Sequence, residues 1–71
     1  MMSESELKQK ILKLLKEKGE AYTKEIAKAI SISTTTASKY LNILEAEGRV
    51  EKRIQKPYTY WRIKNNGGNL K

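Results

Sequence analysis

The chain has 71 residues with a net charge of +7, and its 38% hydrophobic and 32% charged residues describe one small soluble domain. Histidine, cysteine and aspartate are missing from the sequence, which removes the usual zinc ligands, any disulfide and the common catalytic triads. We therefore expect a protein that is not an enzyme and that holds no metal, cofactor or small-molecule ligand. The apolar runs are too short for a membrane span or for a secretory signal, so neither is expected.

The positive charge is concentrated in the last third of the chain. Residues 1–47 hold eight lysines and seven glutamates, whereas residues 48–71 hold seven lysines and arginines and the single acidic residue Glu51. A basic end on a nearly neutral body predicts a polyanionic partner. The alternative is that the basic end is only a solvated tail that helps solubility.

A first helix is predicted to run to residue 18, because four apolar side chains recur at helical spacing. They are Leu7, Ile11, Leu14 and Leu15. Ser3 or Ser5 caps its start, Ser3 with Glu6 fits a capping box, and Gly19 is placed as the carboxyl-terminal cap. Leu12 lies beside the apolar face; it either widens the core or contacts a second subunit, and we favour the wider core.

Two further helices joined by a tight turn are predicted in the middle of the chain. Residues 20–22 are too short for an independent strand but could add one or two backbone pairs to a later hairpin. Thr23 is the predicted N-cap of the second helix, which runs to about Ile30, and Ser31 to Ser33 form the turn. Ser33 is also the predicted cap of the third helix, Thr34–Glu47.

The third helix has an apolar side and a polar side. The apolar side is predicted to be core and consists of Ala37, Tyr40, Leu41 and Leu44. The polar side consists of Thr35, Ser38, Lys39 and Asn42, with Thr34 at its edge. Threonine is a mediocre helix former. A helix start rich in threonine therefore favours a surface that binds a ligand through hydroxyl and methyl groups. Capping of the helix explains one or two of the threonines equally well.

A β-hairpin is predicted after Gly48. Its strands are Arg49–Ile54 and Tyr58–Ile63, in which apolar residues alternate with polar ones, and residues 55–57 form a turn with a basic tip. Trp61 is predicted to close the hairpin onto the helices. Residues 1–64 are expected to form the domain, and residues 65–71, which are rich in asparagine and glycine, a disordered tail.

This order of elements resembles the winged helix-turn-helix family of DNA-binding domains. The resemblance covers roughly residues 7–63 and implies an α+β, mainly α fold with three helices and a β-hairpin wing, in the order α-β-α-α-β-β. Ala27 matches the small residue in the first helix of the motif. The apolar positions of the motif are matched by Ile26, Ile30, Ile32, Ala37 and Tyr40. Ser31 departs from the pattern, because glycine is frequent at this position of the turn.

The resemblance implies a sequence-specific transcription regulator that binds double-stranded DNA with the third helix in the major groove. On this helix the implied contacts are Ser33, Thr34, Thr35, Ser38, Lys39 and Asn42. Hydroxyls suit phosphates or base edges, Asn42 suits adenine, and Lys39 suits phosphate or guanine. On the wing, contacts to the DNA backbone or minor groove are implied for Arg53, Lys56, Tyr58 and Arg62.

Two alternatives use the same fold. Many winged-helix domains are protein-interaction modules in transcription or replication complexes, but such a module predicts an exposed apolar patch and no basic wing. Winged-helix domains that bind left-handed DNA use an asparagine and a tyrosine on the recognition helix and a proline and a tryptophan on the wing. Pro57 and Trp61 resemble that wing, whereas Ser38 and Asn42 stand at the helix positions and weigh against it.

The chain is also similar to stand-alone winged-helix regulators of archaea, their plasmids and their viruses. That resemblance implies a cytoplasmic, nucleoid-associated protein. The family often binds DNA as a homodimer, and the candidate surface for a homodimer here is the first helix, with Leu12 and the Met1–Met2 lead.

Overall fold

The computed structural model describes residues 3–64 and has the predicted order of elements. The helices are α1 (Glu4–Lys18), α2 (Thr23–Ala29) and α3 (Thr34–Ala46), and the strands are β1 (Ala21–Tyr22), β2 (Val50–Gln55) and β3 (Tyr58–Ile63). Three helices and one antiparallel sheet confirm the α+β, mainly α, winged-helix fold. The tail predicted over residues 65–71 lies outside the described residues, as do Met1 and Met2.

Side-chain caps fix the starts of α1 and α3. The Ser3 hydroxyl accepts from the Glu6 N–H at 3.2 Å, and a Glu6 carboxylate oxygen accepts from the Ser3 N–H at 3.1 Å, which confirms the capping box. Ser33 caps α3 as predicted, its hydroxyl accepting from the Thr36 N–H at 3.1 Å. Gly19 follows the last residue of α1 with φ 86°, and its N–H donates to a carbonyl of the last turn at 2.7 Å.

The predicted cap of α2 is wrong by one residue. Tyr22 occupies the N-cap position, and its N–H donates to the Glu25 carboxylate at 3.4 Å. Thr23 is the first helical residue, and its hydroxyl accepts from the Trp61 indole N–H at 2.8 Å. This partner lies far along the chain, so the local sequence pattern does not indicate it. The other helix and strand ends agree with the prediction to within about one residue.

The sheet has the strand order β1-β3-β2, and both pairings are antiparallel. β1 adds two backbone pairs, Ala21 with Trp61 and Tyr22 with Tyr60, as predicted for the short extended piece. Paired residues share a face of the sheet, so the register separates a helix-facing side from an outer side. The helix-facing side carries Ala21, Val50, Lys52, Ile54, Thr59, Trp61 and Ile63. The outer side carries Tyr22, Glu51, Arg53, Gln55, Tyr58, Tyr60 and Arg62.

The core lies between the helices and the helix-facing side of the sheet. Its buried members are Leu7, Ile11, Leu15, Ala21, Ile26, Ala27, Ala37, Leu41, Leu44, Val50 and Trp61. Leu12 is half-buried and packs against this core, as the wider-core interpretation expects. Leu14 and Tyr40, both predicted to be core, also pack against it but stay half-buried. The core therefore holds the helices and the hairpin in one unit.

Candidate nucleic-acid interface

The packing of α2 on α3 sets the direction in which α3 presents its polar side. Ala27 and Ala37 are buried, and their small side chains leave room for the two helices to approach. In the connecting turn Ser31 has φ 60°, the left-handed conformation that glycine adopts without steric cost. The Ile32 N–H donates to the Ala27 carbonyl oxygen at 2.9 Å and closes the turn. The polar side of α3 is thereby turned away from the core.

The polar row of α3 is accessible and contains no acidic residue. Five of the six predicted contacts are exposed and one, Ser38, is half-buried; the exposed ones are Ser33, Thr34, Thr35, Lys39 and Asn42. The two glutamates nearest to this row, Glu45 and Glu47, lie at the far end of the helix. An anionic ligand would therefore meet hydroxyls, an amide and an ammonium group on this row.

Most polar groups of this row have no partner within residues 3–64. No side-chain hydrogen bond or ion pair in that range engages Thr34, Thr35, Ser38 or Asn42. Lys39 is also without a carboxylate there, and its Nζ lies 5.8 Å from the centroid of the Tyr40 ring. Ser33 differs, because its hydroxyl caps α3 and donates to the Thr36 hydroxyl at 2.8 Å. Donors and acceptors for base edges are thus available along most of the row.

Three contacts tie the hairpin to the helices. The Trp61 indole N–H donates to the Thr23 hydroxyl at 2.8 Å, and this hydroxyl donates to the Thr59 carbonyl oxygen at 3.4 Å. On the neighbouring strand, Lys52 Nζ lies 3.7 Å from a carboxylate oxygen of Glu45, near the end of α3. The hairpin is therefore tied to the start of α2 and to the end of α3. This places the wing and the polar row in one rigid arrangement.

Arg53 was predicted to be a DNA contact, and it is held by the protein itself. Its Nε and Nη2 donate to the two carboxylate oxygens of Glu20 at 3.1 and 3.0 Å. Its guanidinium also lies 4.8 Å from the centroid of the Tyr60 ring and donates to the Gln55 side chain. The Arg53 guanidinium lowers the pKa of the Glu20 carboxyl below its ordinary value of 4.5. Both groups are therefore charged at neutral pH.

The other two wing cations predicted to contact DNA differ in whether a carboxylate of the protein pairs with them. Arg62 lies opposite Glu51 in the sheet, and its Nη2 is 2.8 Å from the Glu51 carboxylate. Lys56 lies in the turn at the tip, is exposed, and has no carboxylate partner within residues 3–64. The sequence could not indicate these pairings, because they depend on the strand register. Of the wing cations predicted to contact DNA, Lys56 is thus the one with an unpaired charge in the described range.

Tyr58, also predicted to be a contact, belongs to an aromatic cluster on the outer side of the sheet. Its ring centroid lies 4.7 Å from that of Tyr22 and 6.2 Å from that of Tyr60. Tyr58 lies on the outer side of the sheet, away from α3, and 46% of the residue is exposed. The ring therefore packs on neighbouring tyrosines, while the residue as a whole stays exposed to solvent.

Ile54 is a surface feature that sequence reasoning missed. The alternation in β2 puts Ile54 on the same side of the strand as Val50, yet Val50 is 1% exposed and Ile54 is 63% exposed. Both lie on the helix-facing side of the sheet, but Ile54 lies near the tip, where the hairpin extends beyond the helices. Its position close to the turn was the available signal, since a long hairpin leaves its tip uncovered.

Neither a metal-binding cluster nor a membrane-spanning helix is found among residues 3–64. That range contains no group of three or more His, Cys, Asp or Glu side chains arranged to hold a metal ion. It also contains no helix that is long and apolar enough to cross a bilayer.

An exposed polar helix face beside a β-hairpin with a basic tip defines the class of winged helix-turn-helix domains. A family model described as winged helix-turn-helix DNA-binding matches residues 4–51, and the chain belongs to this family. Its neighbours of known structure are winged-helix DNA-binding proteins. A sequence comparison with curated proteins gives no match.

Two solved relatives illustrate the range of this fold. A possible transcriptional regulatory protein of Mycobacterium bovis (fragment 1–100) is 36% identical, with a TM-score of 0.80 over 86% of this chain and 64% of that chain. A solution structure of the same domain describes it as homodimeric and as a possible ArsR-family regulator. The Zalpha domain of Carassius auratus PKZ, solved with Z-DNA, is 26% identical, with a TM-score of 0.80 over 87% of this chain and 98% of that chain.

Proposed function

We propose that this protein is a sequence-specific regulator of transcription that binds double-stranded DNA. The recognition helix α3 enters the major groove, and the wing contacts the backbone or the minor groove. The observation that carries this proposal is the row Thr34, Thr35, Ser38, Lys39 and Asn42, which is mostly exposed, has no acidic member and makes no side-chain hydrogen bond or ion pair within residues 3–64. A surface that only kept the protein soluble would not need uncommitted hydroxyls in place of lysine and glutamate.

Each member of the row has a defined role in this proposal. Thr34 and Thr35, at the start of α3, donate to phosphates or place a methyl group against thymine. Ser38 and Asn42 read base edges, and Asn42 pairs with an adenine through its amide. Lys39 contacts a phosphate or the acceptors of a guanine.

The wing supplies affinity in this proposal. Lys56 offers an unpaired ammonium at the tip, and Arg53 and Arg62 exchange their carboxylate partners for phosphates. Such an exchange is accessible, because ion pairs between exposed side chains contribute little to stability. The Tyr58 hydroxyl donates to a phosphate.

The stoichiometry and the setting belong to the proposal as well. The Mycobacterium bovis relative is described as homodimeric, and we propose that two copies bind one DNA site through α1. Leu12 gives this surface an apolar residue, but it is half-buried, so we expect the copies to associate on DNA rather than in free solution. A cytoplasmic, nucleoid-associated location and an archaeal type are consistent with this role.

Left-handed DNA is a second candidate ligand, favoured by the likeness to the Zalpha domain solved with Z-DNA. Two observations weigh against it. Domains that bind left-handed DNA have an asparagine and a tyrosine at two positions of the recognition helix, and this chain has Ser38 and Asn42 there. Trp61, the matching wing residue, is 2% exposed, and its indole N–H is already bound to Thr23. We therefore rank right-handed DNA first.

The proposal is tested by measuring affinity for duplex DNA at two salt concentrations with variants of each surface. Ser38→Ala and Asn42→Ala should reduce discrimination between selected and random duplexes, each by about 1–3 kcal/mol for a lost base contact. Lys56→Ala should weaken binding to both duplexes alike and reduce the salt slope by about 0.9.

Three results would contradict this proposal. If the protein binds no duplex at low salt, DNA is not its partner, and a protein-interaction module becomes the better hypothesis. If the Ser38 and Asn42 variants keep full discrimination, α3 is not the reading element. If the protein inverts the circular dichroism of an alternating CG duplex, left-handed DNA is the ligand.

A further inference from the structure

The wing carries an apolar side chain that the core does not use. Ile54 and Tyr58 are the large hydrophobic residues that stay exposed among residues 3–64, at 63% and 46%. Tyr58 packs on two other tyrosine rings, whereas Ile54 is not a member of the core cluster or of the layer packed against it. Single exposed apolar side chains are common on proteins, so the position of Ile54 on the wing is what makes it a candidate contact.

Ile54 lies on the side of the wing that faces the recognition helix. It shares this side with Val50, which is buried, and with Lys52, whose Nζ lies 3.7 Å from Glu45 of α3. Ile54 follows Lys52 by two residues, or roughly 7 Å along the strand, and lies beyond the edge of the helices. A duplex that contacts α3 and the helix-facing side of the wing must therefore pass close to this side chain.

Cations lie on both sides of Ile54 along the hairpin. Lys52 precedes it by two residues and Lys56 follows it by two, at the tip. An apolar side chain between two cations matches a DNA groove, in which sugars line the walls and phosphates form the rims. The lysines suit an anionic partner, and the isoleucine between them suits an apolar surface, which the sugars of a groove supply.

We propose that Ile54 is a DNA-contact residue that packs on deoxyribose in the minor groove beside the recognition helix. This inference rests on the proposed function and adds a preference to it. The guanine amino group protrudes into the minor groove, and an isoleucine placed against it would leave this donor without a partner. Ile54 therefore favours A·T over G·C base pairs where the wing lies.

The test replaces Ile54 by threonine, which keeps the β-branched shape suited to a strand and removes apolar surface. Because Ile54 is exposed, the variant should unfold at nearly the same temperature as the wild type. We expect affinity for an A·T-flanked duplex to fall about tenfold at both salt concentrations, with the salt slope unchanged. Preference for A·T over G·C flanks should disappear. Lys56→Ala is the matched comparison, since it should reduce the slope and keep the preference.

The outcomes separate this inference from the proposed function. If the wild type binds duplex DNA and Ile54→Thr binds with the same affinity and the same A·T preference, the inference is overturned while the proposed function stands. If the wild type binds no duplex, both fail. If Ile54→Thr lowers the molecular mass in solution without DNA, the side chain is a contact between copies of the chain, and the inference is overturned.

Discussion

At Arg53, a predicted DNA contact competes with a contact inside the protein. Its guanidinium binds both carboxylate oxygens of Glu20, the same two-point geometry that it would form with a phosphate. The lowered pKa of Glu20 means that the pair is fully formed above the ordinary value of 4.5 and is lost as pH falls below it. At neutral pH a phosphate must therefore displace a charged carboxylate.

Removing that carboxylate should strengthen DNA binding. We predict that Glu20→Gln raises the affinity for duplex DNA roughly threefold and leaves the salt slope nearly unchanged, because Arg53 contacts a phosphate in both proteins but no longer has to leave a carboxylate. Affinity measured at several salt concentrations checks this. Glu17→Gln is the control, because it removes the same charge from an exposed position on α1 that has no ion pair in the described range. Equal effects of the two variants would show that only net charge matters.

At the scale of single elements, the turn between α2 and α3 carries a local strain. Ser31 adopts φ 60° at the position where the family pattern favours glycine. A side chain in this conformation costs about 1–2 kcal/mol, part of which is offset because glycine is more flexible in the unfolded chain. The turn is thus stabilised by the packing of the two helices rather than by its own residue.

Ser31→Gly should therefore stabilise the protein by about 0.5–1 kcal/mol and raise the melting temperature by about 3–6 °C. Gly19→Ala is the opposite case: Gly19 has φ 86° and no atom within 4 Å of an added Cβ, so the change should cost about 1 kcal/mol through the backbone alone. Thermal unfolding of both variants measures the two effects. A destabilised Ser31→Gly variant would mean that the serine side chain has a structural role.

The elements themselves could be predicted because their signals are local. Ser3, Glu6 and Gly19 mark the ends of α1 through contacts with residues close in sequence. The spacing of apolar residues, which separates helix from strand, is likewise read over a few neighbouring positions. The cap of α2 could not be predicted, because Trp61 takes the Thr23 hydroxyl from 38 residues away. Pairing of Arg53 with Glu20 likewise depends on how the strands align.

At the scale of the whole molecule, pairing does not cancel the charge that attracts DNA. Residues 48–71 carry seven cations and one carboxylate, a net of +6, although the ion pairs of the wing draw on glutamates at positions 20, 45 and 51. Long-range attraction depends on net charge and speeds the encounter with a polyanion. Short-range affinity depends on which cations are free, and this points to Lys56 and Lys39.

We propose that DNA lies on one surface made of the first half of α3 and the wing. The most direct test is to titrate the uniformly ¹⁵N-labelled protein with a duplex selected from a random pool and to follow every backbone amide by NMR. The largest shifts should fall in residues 34–42 and 54–58, with smaller shifts along α1, where two copies associate on the DNA. Shifts concentrated on α1, with the amides of residues 34–42 unmoved, would contradict this placement of the DNA.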